Sequence, residues 1–202
     1  MKLKDFRKKM EKNIFSVAEA RVVCFADKPE VLNLQLHLWR KSGELIALKR
    51  GLYMFADAKI EAHEIARSLY YPCYFSMEYA LNFYGIIPDA VFQYTLVSPK
   101  ATRHFKTAVG IFSYQQIKKE AFCGYDPETL MAEKEKALVD YFYLHSAELE
   151  ADDRFWEHSR LEAGSTKINF KKVFMYAKYL KSKKVNLLLN SFYSYAKSQQ
   201  NY

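Results

Sequence analysis

Four polar side chains recur at helical spacing between residues 33 and 41. They are Asn33, His37, Arg40 and Lys41, and steps of three or four residues place side chains on one face of an α-helix. An asparagine amide can form two hydrogen bonds with an adenine edge, and an arginine guanidinium can do the same with guanine. The row therefore has the chemistry of base recognition in double-stranded DNA, although any surface helix has a polar face.

Two further cations follow in the segment GELIALKRGLYMFA, residues 43–56. Short apolar stretches on either side of Gly51 predict a β-hairpin with strands near 44–49 and 52–55. Lys49 and Arg50 lie at its turn, where they can contact DNA phosphates or enter a minor groove. We therefore expect Lys49 and Arg50 to contribute affinity, and the helical row to contribute sequence choice.

Residues that carry catalysis or hold metals do not occur in a workable pattern. The chain has no Gly-rich phosphate loop, no HExxH and no GxSxG. Lys136 and Asp140 are four residues apart, which predicts an ordinary ion pair on a helix surface. Cys24, Cys73 and Cys123 are about fifty residues apart, which argues against a zinc site and a disulfide framework. We therefore expect a protein that is not an enzyme and has no metal and no cofactor.

Positive charge is concentrated at the two ends of the sequence. Residues 1–60 hold 13 Lys/Arg and 7 Asp/Glu, residues 61–162 hold 10 and 16, and residues 163–202 hold 8 and none. Local positive charge is the electrostatic footprint of nucleic-acid binding, and ordinary solvated faces explain it equally well. The isolated cysteines, and the lack of any apolar run suited to a signal peptide or a membrane helix, predict a cytoplasmic protein without membrane contact.

The elements that must position these residues begin with three helices. The first is predicted from Leu3, Phe6 and Met10, and the second from a capping box formed by Ser16 and Glu19. The third is predicted to begin with an Asp27–Glu30 capping box and to end at Gly43. Its apolar arc, expected to face the core, comprises Val31, Leu32, Leu34, Leu36, Leu38 and Trp39, with Gln35 as an unexplained exception.

Three helices followed by a hairpin is the element order of a winged helix-turn-helix, whose third helix enters the major groove. We therefore predict an α+β fold, with this DNA-binding domain over residues 1–57 and a mixed α/β domain over 60–202 that ends in a helical tail. Further helices are predicted before Pro72, from Ser76 to Gly85 and over 132–145. Further strands are predicted over 91–98, on both sides of Val109–Gly110 and over 120–125.

Several segments, in order and spacing, resemble the AbiEi-type antitoxins, which are regulators of viral defence systems. They are FSVAEA, LNLQLHLWRKSGELIALKRGLYMF, YPCYFSMEYALNFYGIIPD, TRHFKTAVGIFSY, FCGY and MAEKEKALVDYFYL, between about residues 15 and 144. The resemblance implies a winged-helix domain followed by an antitoxin domain. It implies repression of the protein's own operon through inverted repeats, which suits a dimer on DNA. It also implies a nucleotidyltransferase-like toxin that is opposed without a stable complex.

Two alternatives remain for the second domain. A solitary regulator could use it to sense a ligand, which a pocket with convergent polar groups would favour. It could instead bind a protein partner, which a large exposed apolar patch would favour.

Overall fold

The computed structural model describes residues 1–24, 28–162 and 167–199, and over these ranges the protein is mixed α+β. The helices are α1 (Leu3–Lys9), α2 (Val17–Val23), α3 (Pro29–Lys41), α4 (Ala62–Leu69), α5 (Met77–Phe83), α6 (Lys134–Leu144), α7 (Asp153–Glu157), α8 (Phe170–Leu180) and α9 (Lys183–Gln199), with a 3-10 turn at Lys119–Ala121. The strands are β1 (Ile14–Ser16), β2 (Leu45–Lys49), β3 (Leu52–Phe55), β4 (Tyr74–Phe75), β5 (Tyr94–Ser98), β6 (Arg103–Thr107) and β7 (Gly110–Gln116).

The chain divides into two compact units. The first contains Met1–Tyr71 together with Phe105–Ile111, and the second contains Pro72–His104 and the remainder from Phe112. Residues 60–71, which the sequence assigned to the second domain, thus belong to the first compact unit. The assignment of separate functions to residues 1–57 and 60–202 stays a prediction.

The first unit is built around a three-stranded antiparallel sheet in the order β1-β3-β2. The short strand β1, which the sequence did not predict, leads directly into the cap of α2. There the Ser16 hydroxyl accepts from the Glu19 backbone N–H, and the Glu19 carboxylate accepts from the Ser16 backbone N–H. Because this box satisfies otherwise unpaired N–H groups at the start of α2, it fixes where the strand ends and the helix begins.

The core of the first unit is aromatic. Phe6 of α1 stacks on Trp39 of α3 with ring centroids 5.2 Å apart, and it meets the edge of Phe15 at the same distance. Leu32 and Leu36 add two further buried side chains from α3. This cluster holds the inner face of α3 against α1 and the sheet, so its outer face is fixed towards solvent.

The end of α3 sets the position of the hairpin that follows. Gly43 has φ +80°, its N–H donates to the carbonyl of Arg40, and the N–H of Glu44 donates to the carbonyl of Trp39. This is a Schellman ending, which requires the left-handed conformation that glycine adopts at little cost. The predicted stop at Gly43 is confirmed. At its other end α3 begins at Pro29 with Lys28 as the N-cap residue, and the predicted cap Asp27 lies outside the described residues.

A second sheet has four strands in the order β4-β5-β7-β6, and β4, β5 and most of β7 belong to the second unit. Strand β4 is antiparallel to β5, and β5 is parallel to β7. The predicted strands around Val109–Gly110 are confirmed as β6 and β7. The strand predicted over 91–98 begins only at Tyr94, and the one predicted over 120–125 is wrong. Those residues form the 3-10 turn and a single bridge between Tyr125 and Ala132.

Helix α6 is buried on most of its circumference. Its sequence periodicity predicts an inner face of Ala137, Leu138, Tyr141 and Leu144, but only Ala137 and Leu138 are buried, and Tyr141 and Leu144 are half-buried. The charged residues Glu135, Lys136 and Asp140 are buried as well. A helix enclosed in this way lacks a single apolar stripe, so its periodicity could not identify the inward face.

Cys24 and Cys73 are buried, Cys123 is half-buried, and none of these three residues forms a disulfide bond. In the described ranges, no helix has both the length and the apolar character needed to cross a bilayer.

Candidate nucleic-acid interface

All four predicted residues of α3 are on its solvent-exposed side. Asn33, His37, Arg40 and Lys41 are exposed, and their side chains make no hydrogen bond or ion pair with any residue in the described part of the chain. Arg40 and Lys41 lie in the last turn, where the negative end of the helix dipole stabilises positive charge. The row of residues 33, 37, 40 and 41, hereafter the polar row, is therefore free to meet an external partner.

Half of the predicted apolar arc of α3 does not face the core. Only Leu32, Leu36 and Trp39 are buried. Val31, Leu34 and Leu38 are 44%, 58% and 51% exposed, because the aromatic core contacts a narrower strip of the helix than the sequence arc allowed. These three residues, at spacings of three and four, form a second exposed row beside the polar row, hereafter the apolar row.

Gln35 lies where the apolar row meets the core. It is half-buried, and its Oε1 atom is shielded from solvent without a hydrogen-bond partner among the described residues. The structure gives no reason for an amide at this position.

The hairpin turn presents one of its two predicted cations. The turn consists of Arg50 and Gly51, with Gly51 at φ +78° and Lys49 paired with Leu52. The Gly51 carbonyl accepts a hydrogen bond of 3.0 Å from the backbone N–H of Val17. This bond anchors the turn to the start of α2. The Arg50 side chain is exposed and forms no ion pair within the described ranges.

Lys49 differs from its neighbour, because its ammonium group already has partners. Its Nζ atom donates to the carbonyl of Leu69, the last residue of α4, and lies 5.4 Å from the ring centroid of Phe105. Desolvation in this position lowers the pKa of Lys49. The geometry thus favours Arg50, rather than Lys49, as the hairpin cation that can reach a phosphate.

Together, the polar row and Arg50 offer a helix face and a hairpin tip on one compact unit. An α-helix fits the width of the major groove of B-DNA, and cations on a neighbouring hairpin can contact the backbone. The face also contains one acidic residue, Glu30, in the first turn of α3. A carboxylate there repels phosphate, but it can accept from the amino group of cytosine.

No protein-family model matches this chain, and no curated protein matches it either.

The second unit contains a polar cluster that sequence reasoning placed on the surface. The Lys136 ammonium donates to Oδ1 of Asp140, and the two side chains are 1% and 0% exposed. Oδ2 of Asp140 accepts from the hydroxyls of Tyr74 at 2.9 Å and Ser76 at 2.8 Å. The prediction of a surface ion pair is therefore wrong, because β4 and the start of α5 cover this side of α6.

A signal for this burial was present in the sequence. Lys136 is followed by Ala137, Leu138 and Val139, and Asp140 is followed by YFYL. With so many apolar residues around the charged pair, this helix has too few polar positions to form a solvent-exposed face there. Both carboxylate oxygens of Asp140 have hydrogen-bond partners, and Lys136 and Asp140 are buried. The cluster connects α6 to β4 and to the residue before α5.

A polar cleft of about 220 Å³ lies elsewhere in the second unit. At its wall Nε2 of His145 is 3.1 Å from Oε1 of Glu78. The hydrogen bond that His145 donates to the Glu78 carboxylate raises the pKa of His145, and the pKa of Glu78 is lowered, so the pair carries opposite charges over a wider pH range than isolated groups would. The other lining residues are Met77, Gln93, Thr95, Ser113, Gln115, Leu144 and Glu148. Around the cleft and elsewhere in the described chain, no three His, Cys, Asp or Glu side chains are grouped to hold a metal ion.

Proposed function

We propose that this protein is a DNA-binding transcriptional regulator of the AbiEi antitoxin type, which represses its own operon. In this proposal the first unit acts as a winged helix-turn-helix, with α3 in the major groove and the β2–β3 hairpin on the adjacent backbone. The observation that carries it is the polar row of α3, four exposed side chains without internal partners. The element order α1-β1-α2-α3-β2-β3 supports it, since α3 is followed at once by a hairpin with Arg50 at its turn.

A titration of the full chain on the DNA upstream of its own gene tests the DNA half of the proposal. We expect tight, salt-sensitive binding, in which each neutralised phosphate contributes about −0.9 to the slope of log K against log salt. Random duplex of the same length is the control and should bind more weakly. Absence of binding at low salt would contradict the proposal.

The antitoxin half concerns a nucleotidyltransferase-like toxin, which the resemblance implies as a functional partner without a stable complex. Co-expression with such a toxin, encoded beside the gene, should relieve growth arrest. Tagged toxin should not retain the protein during purification. Growth arrest that persists despite co-expression contradicts this half and leaves DNA binding unaffected.

A second candidate is a solitary regulator whose second unit senses a small polar ligand. The cleft beside Glu78 and His145 favours it, because amides, hydroxyls and a charged pair converge there. Thermal unfolding of the full chain with nucleosides, amino acids and sugars is the test. We expect one compound to raise the melting temperature, and Gln93→Ala, at the cleft wall, to reduce the rise. If no compound raises it, the candidate is rejected.

A further inference from the structure

The apolar row of α3 stays largely exposed within the described part of the chain, although its members are large. Leu34 and Leu38 are more than half exposed and Val31 is nearly so. The side chains that α3 contributes to the core, Leu32, Leu36 and Trp39, lie on a different side of the helix. The exposure of the apolar row leaves hydrocarbon in contact with water. Apolar side chains grouped on one exposed helix face are typical of a surface that contacts a partner.

Its size excludes a second copy of the chain as the main occupant. A stable protein interface buries about 800 Å² on each partner and involves roughly 20–30 residues a side. Three side chains on a single helix supply only a small part of that area. Lys41 lies beside the row on the helix surface, and its positive charge repels the same surface of a second copy.

Arg40 and Lys41 in the last turn of α3 give this face a positive charge that complements a polyanion, with Glu30 as an acidic residue in the first turn. Around α3, at 3.6 residues per turn, the polar and apolar rows are centred roughly 110° apart. A helix lying in a groove can turn both rows towards its walls at once. A partner that offers phosphate to the cations and hydrocarbon to the leucines fits this face.

Duplex DNA has one hydrocarbon group of this kind in its major groove, the C5-methyl group of thymine. We propose that Leu34 and Leu38, assisted by Val31, contact thymine methyl groups beside the bases read by the polar row. This inference rests on the proposed function and adds specificity-determining residues to it. From Val31 to Leu38 the helix rises about 10 Å, which matches about three base-pair steps of 3.4 Å. The operator should therefore contain A·T pairs within a three-pair stretch under α3.

Replacement of thymine by uracil tests the inference, because it removes the methyl group and leaves base pairing intact. The full chain is titrated on its upstream DNA, prepared with thymine or with uracil throughout. We expect weaker binding to the uracil DNA, by roughly fourfold for each methyl group that is contacted. The double variant Leu34→Ala/Leu38→Ala should bind the thymine DNA more weakly and should no longer distinguish the two DNAs.

Leu187→Ala is the matched control, since Leu187 is an equally exposed leucine (62%) on α9. It should keep the full difference between thymine and uracil DNA. Circular dichroism of each variant shows whether α3 remains folded, and Leu34→Met/Leu38→Met, which keeps apolar contact, should retain most of the difference.

The outcomes separate the inference from the proposed function. Tight binding with equal affinity for both DNAs overturns the methyl contact and leaves DNA binding intact. A thymine preference that persists in the double alanine variant also overturns it, because the methyl groups are then read elsewhere or act through DNA shape. Dissociation of a dimer by the double variant, with an unchanged preference, assigns the row to self-association instead. Failure to bind any DNA overturns both proposals.

Discussion

The Lys136 ammonium and the Asp140 carboxylate form an ion pair one helical turn apart on α6, and both side chains are almost completely inaccessible to solvent. Tyr74 and Ser76 donate their hydroxyls to the second oxygen of Asp140, and the Lys136 Nζ lies 5.5 Å from the ring centroid of Tyr74. The pair thus links α6 to β4 and to the residue that precedes α5. Because the Ser76 hydroxyl donates to Asp140, the side chain does not cap a backbone N–H of α5, although Ser76 is the N-cap residue.

Removal of one partner of this pair should destabilise the protein strongly. Lys136→Met leaves a buried carboxylate without its counter-charge, and Asp140→Leu leaves a buried ammonium and two unpaired hydroxyls. Each should lower the free energy of unfolding by about 3–5 kcal/mol, and the double variant by less than the sum. Urea unfolding of the wild type, the two single variants and the double variant completes this double-mutant cycle.

Lys172 and Glu133 provide the matched control for this cycle. They form an ion pair at 2.8 Å in the same unit, but both side chains are more than 40% exposed. Lys172→Met should change the free energy of unfolding far less than Lys136→Met does, because solvent screens an exposed ion pair. If Lys136→Met costs no more than Lys172→Met, the buried pair does not support the fold in the way described.

Asn33 and Arg50 should affect DNA binding differently. Asn33→Ala removes a possible bidentate contact with a base and should weaken operator binding by roughly 1–3 kcal/mol, with little effect on random DNA. Arg50→Ala removes a phosphate contact and should weaken both, with the salt slope shallower by about 1. Titrations on both DNAs at two salt concentrations measure this. The reverse pattern would mean that the helix holds the backbone and the hairpin reads the sequence.

Lys49 should behave unlike Arg50, despite being adjacent to it. The residue is exposed, but its ammonium already donates to the Leu69 carbonyl and lies near the Phe105 ring, so contact with phosphate would require it to leave these partners. Lys49→Met should lower the melting temperature and leave the salt slope of DNA binding unchanged, since thermal unfolding reports the lost contacts. If Lys49→Met reduces the salt slope as much as Arg50→Ala does, Lys49 leaves its internal partners when DNA binds.

Gly124 should tolerate no side chain, for two separable reasons. Its φ of +73° is strained for any other residue, and an added Cβ would lie 2.8 Å from the Tyr176 ring. Gly85 has φ +71° with nothing within 4 Å of its Cβ position, so Gly85→Ala measures the backbone strain alone, about 1–2 kcal/mol. Gly124→Ala should destabilise by more than Gly85→Ala in urea unfolding. In a Tyr176→Ala background, Gly124→Ala should destabilise no more than Gly85→Ala does. A larger destabilisation in that background would mean that the Tyr176 ring is not the cause.

The capping box of α2 should give the protein a pH-dependent contribution to stability. The hydrogen bond from Lys12, followed by those from Ser16, lowers the pKa of Glu19 to about 2. A carboxyl group whose pKa is depressed on folding stabilises the protein above its ordinary value of 4.5, and this effect disappears as pH falls towards 2. Glu19→Gln should therefore be less stable than the wild type at pH 7, and the difference should shrink between about pH 4.5 and 2. Urea midpoints at several pH values measure it, and a difference independent of pH contradicts it.

Local signals were sufficient for several boundaries in the first unit, although not for the short strand β1. The Ser16–Glu19 box, the stop at Gly43 and the hairpin turn at Gly51 each depend on residues that are near in sequence. For that reason the sequence alone predicted the start of α2, the end of α3 and the hairpin. The exposure of Asn33, His37, Arg40, Lys41 and Arg50 followed from the same patterns.

Long-range packing decided what those patterns could not. Which leucines of α3 are buried depends on how wide a strip the Phe6–Trp39 core contacts, and that width is a property of residues distant in sequence. The confinement of Lys49 depends on Leu69 and Phe105, and the burial of Lys136 and Asp140 depends on Tyr74 and Ser76, about sixty residues earlier. Helical periodicity specifies which residues share a face, but only the tertiary structure specifies which face is covered.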